Sequence, residues 1–134
     1  MKFKKYINET ELITKKILDE LEEYADRLFK NVGIDVEFTK HFLDRANDPR
    51  NKNQITFEEL VRLFKRSYRK YGKIISTLGP DAEAVLNDMK TNINMPFVLK
   101  WNGKELELVA KTIMRKKNFK SSDPKLTFEG KDEI

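Results

Sequence analysis

The apolar positions of the chain change period once, and that change divides it into two parts. Ile13, Ile17, Leu21, Tyr24 and Leu28 recur in steps of four, four, three and four, which places them on one helical face. Asp19, Glu20, Glu22, Glu23 and Asp26 fall largely off that face. Asn8-Glu9-Thr10-Glu11 reads as a capping box, and Asn31-Val32-Gly33 as a stop with a left-handed cap. The pattern predicts an amphipathic helix over 9–30. Residues 34–37 read as an extended link, and Phe38, Phe42 and Leu43 as a shorter helix over 38–47. The turn formers of Asn47-Asp48-Pro49-Arg50-Asn51-Lys52-Asn53 break it. Thr56-Phe57-Glu58-Glu59 is a second capping box, followed by the apolar face Leu60, Val61, Phe64, Tyr68 and Tyr71 of a helix over 57–72 that stops at Gly72.

Beyond Leu78-Gly79-Pro80-Asp81 the period becomes two. Phe97, Leu99 and Trp101 alternate with Val98 and Lys100; Leu106, Leu108 and Ala110 alternate with Glu105, Glu107, Val109 and Lys111. Asn102-Gly103 between them is a hairpin signal. Strands are expected over 95–101 and 105–115, with 84–89 an earlier strand or a short helix, and 125–129 a late edge strand. Helices first and strands second argue an α+β fold, one domain over 1–134, with N-terminal helices packed on one face of a small antiparallel β-sheet and the 95–115 hairpin at its centre.

Composition narrows the chemistry. The 134 residues include no Cys and one His, which removes disulfides, thiolate metal sites and multi-histidine metal sites. No tight acidic cluster is visible, no Gly-rich phosphate loop occurs, and no cofactor is expected. No apolar run is long enough to span a membrane, and Met1–Lys5 lacks the apolar stretch of a signal peptide. The expected location is the cytoplasm. The net charge of +5 is unevenly placed: residues 1–61 carry 11 basic and 13 acidic side chains, and residues 62–120 carry 14 and 5. A basic second half suggests a polyanion-facing surface, against the plainer reading of a solvated face. An acidic protein partner or inhibitor is the alternative to nucleic acid. Arg62, Lys65, Arg66, Arg69, Lys70 and Lys73 decorate the third helix with no acid among residues 62–73. Lys116 and Lys117 add charge after the hairpin, and Trp101 either stacks on a base or packs at the hairpin.

His41 is the one imidazole, and Arg45 follows one helical turn later. Such a pair suits phosphodiester chemistry, the imidazole moving a proton and the guanidinium holding phosphate. Lys111, Thr112 and Arg115 lie on the second hairpin strand, where Lys111 and Arg115 share a face if the strand runs that far. That face either serves a phosphate or protects an edge.

The stretch His41-Phe42-Leu43-Asp44-Arg45-Ala46 resembles the His-Leu-Leu-Asp-Arg-Ala segment of the RegB phage endoribonucleases, within the barnase–EndoU–colicin–RelE group. Ile55-Thr56-Phe57-Glu58-Glu59-Leu60 resembles that group's next helix. The resemblance implies a toxin-like fold of N-terminal helices on a curved antiparallel sheet. It also implies metal-independent RNA cleavage by 2′-hydroxyl attack, leaving a 2′,3′-cyclic phosphate. His41 would be the general acid or base, Arg45, Lys111 and Arg115 would stabilise the phosphorane, and Thr112 would bond a non-bridging oxygen. The family's further histidines have no counterpart after His41, so Lys111, Thr112 or Arg115 would stand in. The alternative is a non-catalytic binding or regulatory protein using the basic face of the 57–72 helix.

Overall fold

The computed structural model describes residues 12–129. The capping box at Asn8–Glu11 lies outside them, as do Met1–Lys5. Helix α1 (Lys15–Phe29) begins later than its apolar period suggests, because Thr14 caps it, its Oγ1 accepting from the Ile17 N–H at 3.1 Å. Its buried stripe is Leu18, Leu21, Ala25 and Phe29. That stripe is turned slightly from the expected one, and Ile17, Tyr24 and Leu28 pack on its flank. Gly33, at φ 75°, ends the turn that follows.

The supposed link at 34–37 is a strand. β1 (Ile34–Phe38) runs parallel to β4 (Leu106–Ala110), Ile34 facing Leu106 and Phe38 facing Ala110. Its alternation of Ile34, Val36 and Phe38 with Asp35 and Glu37 is the pattern of a half-buried strand. Helix α2 is correspondingly short, Phe42–Ala46. Helix α3 (Phe57–Ser76) has the expected capping box at Thr56 and Glu59 but does not stop at Gly72. The apolar face continues to Ile75, which is fully buried. Gly72 serves packing instead: a Cβ there would lie 2.8 Å from Cδ1 of Tyr68, so the glycine admits the Tyr68 ring against the helix.

β2 (Glu83–Asp88) settles 84–89 as strand, and β3 (Ile93–Trp101) pairs antiparallel with both β2 and β4. The hairpin loop is four residues rather than two: Trp101 pairs with Leu106, and Asn102 Oδ1 accepts from the Lys104 and Glu105 N–H groups. The second hairpin strand is interrupted after Ala110 and resumes as β5 (Met114–Arg115), paired with Ile93 and Asn94 of β3. Pro96 explains the break. Its carbonyl accepts from the Lys111 N–H at 2.9 Å, but it has no N–H to return. The Lys111 carbonyl takes the Thr39 hydroxyl instead, at 2.8 Å. β6 (Lys125–Phe128) closes the far edge, parallel to β2.

The sheet order is therefore β1-β4-β3-β2-β6, with β5 beside β3. The three middle strands are antiparallel and each outer neighbour is parallel. The fold is α+β and mostly antiparallel, with α1 and α3 packed on the sheet. Phe29, Phe38, Phe42 and Phe64 form an aromatic centre; Phe38 lies 4.5 Å from Phe42 and meets Phe64 edge-on at 6.0 Å. A fully buried carboxylate, Asp88, receives Arg62 Nε at 2.6 Å, which ties α3 to the end of β2. The Tyr71 hydroxyl donates to the Thr127 carbonyl at 2.5 Å and ties α3 to β6.

Candidate nucleic-acid groove

Two loops and a strand end enclose a groove of about 700 Å³. One wall comes from α2 and the turn after it: Arg45, Asp48, Arg50, Asn51, Lys52 and Asn53. The other comes from Asn92 and the run Thr112 to Lys117. Local sequence explains the first wall. Phe42 and Ala46 are buried, so α2 is fixed by its apolar side and Arg45 is left exposed. Asp48 then caps a turn of 3-10 helix, Pro49–Asn51, accepting from the Arg50 N–H at 2.9 Å. Arg50 also folds back on Asp48 through Nη2 at 2.8 Å. These hydrogen bonds hold the Asp48 carboxyl down at about 2. Asn51 is buried, donating to the Arg45 and Ala46 carbonyls and accepting from the Arg115 N–H at 2.9 Å.

Arg115 joins the walls. Its guanidinium grips Glu59 at 2.7 and 3.0 Å and donates to the carbonyls of Thr91, Gln54 and Asn53 at 2.9, 3.0 and 3.3 Å. All five of its N–H groups are thereby engaged, and none is left for a phosphate. In this arrangement Arg115 holds the groove together. Lys111 is likewise committed, to Glu83 on β2, and does not line the groove. His41 is exposed, stands at the start of α2 and passes its carbonyl to the Arg45 N–H at 3.1 Å. It too is absent from the lining. Of the five residues expected to carry catalysis, the groove gathers Arg45, Thr112 and Arg115 and leaves out His41 and Lys111.

Lys116 and Lys117 line the groove as exposed side chains. The cations of α3 do not. Arg62 is turned inward to Asp88, Lys70 donates to the Thr127 carbonyl at 3.2 Å, and Arg66 and Arg69 also have partners within the chain. Lys65 is half-buried and Lys73 exposed. Trp101 is 58% exposed, at the opposite end of β3 from Ile93. Eight strand steps separate the two, about 26 Å, so the indole cannot share a base with this groove. Arg50 and Lys52 were not foreseen; their only sequence signal is two cations inside a run of turn formers.

The parallel pairing of β1 with β4 creates the acidic cluster that the linear sequence hides. Asp35 faces Glu107 directly, and carboxylate oxygens of Asp35, Glu37 and Glu107 lie within 4.8 Å of one another. Burial, then a hydrogen bond with Asp35, pushes Glu37 up to about 7. Burial also raises Asp26 to about 6 despite the Val36 N–H it accepts at 2.7 Å. Three oxygens at this spacing could ligate a cation, but the raised Glu37 carboxyl readily takes a proton instead. Among the described residues no helix is long and apolar enough to cross a membrane. No protein-family model, curated protein or solved structure matches the chain.

Proposed function

We propose that the chain binds a single-stranded nucleic acid, RNA in the first instance, by its phosphate backbone, without cleaving it. The observation that carries this is the charge of the groove. Arg45, Lys52, Lys116 and Lys117 line it with no ion pair to an acidic side chain among the described residues, and Asp48, its one acid, is matched by Arg50. Cations clustered in a concave site attract a polyanion and position its phosphates without reading sequence. The groove volume lies in the range of sites that enclose a small ligand, which favours a flexible strand over a broad duplex.

The cleavage implied by the family resemblance needs His41 and three cations around one phosphate. With Lys111 outside the groove beside Glu83 and Arg115 held by Glu59, only Arg45 of those cations offers the groove a charge without an ion pair among the described residues. The non-catalytic reading is therefore the better supported, with the groove replacing the basic helix as the contact surface.

Fluorescence anisotropy with a short labelled RNA strand tests it. Lys116→Gln with Lys117→Gln should weaken binding by about tenfold, whereas Lys65→Gln with Lys73→Gln on α3 should change it by less than about threefold. The reverse order would return the contact surface to α3. Cyclic-phosphate products formed in EDTA, and lost in His41→Ala, would overturn the non-catalytic reading. Retention of an acidic protein with no binding of any strand would overturn the nucleic-acid reading.

A further inference from the structure

Lys52 occupies backbone that a side chain rarely adopts. Its φ of 69° and ψ of −60°, with the Asn53 N–H donating to the Asn51 carbonyl at 2.8 Å, define a γ-turn centred on it. This turn is strained for any residue with a Cβ. Asn92, also in the groove, has φ 62°, but asparagine tolerates the left-handed region and lysine does not share that ease.

The turn is held from both sides. On one, the Lys52 N–H donates to the Pro49 carbonyl at 2.9 Å, and Asn51 is fixed by Arg45, Ala46 and Arg115. On the other, the Arg115 guanidinium holds the carbonyls of Asn53 and Gln54. None of these bonds uses the Lys52 side chain, which is exposed and lines the groove. Glycine would adopt the same backbone without strain. What the lysine adds is a cation whose backbone is immobilised at the groove.

We infer that Lys52 is the anchoring cation of the groove, contacting one phosphodiester of the bound strand from a pre-organised turn that costs local stability. The inference rests on the strand-binding reading above. Pre-organisation lowers the ordering cost of a contact, so Lys52 outweighs Lys117, whose backbone has no hydrogen-bond partner among the described residues.

Three variants measured against the same labelled RNA strand test this. Lys52→Ala should weaken binding by about fivefold and reduce the slope of log K against log salt by about 0.7, whereas Lys117→Ala should weaken it by about twofold. Lys52→Gly should lose the same affinity as Lys52→Ala yet melt a few degrees higher, because the strain is gone. A Lys52→Ala loss no larger than that of Lys117→Ala, or a Lys52→Gly protein that melts below Lys52→Ala, overturns the inference alone. A wild-type protein that binds no strand overturns the groove reading together with it.

Discussion

Removing Arg115 separates a structural role from a ligand-binding one. In Arg115→Ala, five hydrogen bonds disappear, two of them to the Glu59 carboxylate. The Arg115 side chain is 14% exposed and that of Glu59 25%, so the pair lies nearer the buried than the surface limit. Breaking a buried pair by deleting one partner costs about 3–5 kcal/mol, and a surface pair contributes about 0–1. The remaining carbonyls border the groove and can be rehydrated there, which limits their share. A loss of about 3 kcal/mol is expected. With a urea m-value of about 2 kcal/mol/M, that moves the unfolding midpoint down by roughly 1.5 M. A double-mutant cycle with Glu59→Gln isolates the ionic part, since the amide oxygen can still accept from the Thr56 N–H. Coupling of about 1–2 kcal/mol is expected. A stability loss under about 1 kcal/mol with a large loss of RNA binding would refute this reasoning and return Arg115 to the phosphate.

Two further outcomes follow from the packing. Glu37 titrates near 7 in the folded chain against an ordinary 4.5, so its stabilising contribution is complete below about pH 4.5 and is lost as pH rises through 7. The melting temperature should therefore fall between pH 5 and pH 8, and Glu37→Gln should shrink that fall by removing the carboxyl whose burial, more than its acidic neighbours, disfavours the charge; an unchanged fall would exclude Glu37 as its source. Gly72→Ala should destabilise by about 1 kcal/mol despite the better helix propensity of alanine, because the new methyl meets the Tyr68 ring; a stabilised variant in chemical denaturation would show that the ring moves aside freely.

The elements legible in the sequence are those whose stabilising contacts are local. The Thr56–Glu59 box and the period of Leu60, Phe64 and Tyr71 define α3 from its own residues. The β3–β4 pairing follows from alternation on either side of Asn102-Gly103. Strand β1 is different. Five alternating residues form a strand only because β4, some seventy positions later, supplies its ladder, and the acidic cluster inherits the same invisibility. Pro96 was plain in the sequence, yet its interruption of the facing strand depends on register. The groove was half legible. Arg45, Thr112, Lys116 and Lys117 stand out by charge or position, but Arg115 looks equally available until Glu59, Gln54 and Asn53 are brought to it from 56 to 62 positions away. Lys52 sits in a segment that announces only a turn, and its strain is a property of φ and ψ, not of composition.

The most direct measurement is the salt dependence of wild-type binding to a short single-stranded RNA. Four groove cations, Arg45, Lys52, Lys116 and Lys117, make no ion pair among the described residues and can neutralise at most about four phosphates, giving a slope of log K against log salt near −2.8 and an affinity loss of about fiftyfold between 50 and 200 mM salt. A slope between about −2 and −3, with the RNA recovered intact, is the predicted result. Binding that ignores salt over that range, or no binding at low salt, would contradict a phosphate-gripping groove.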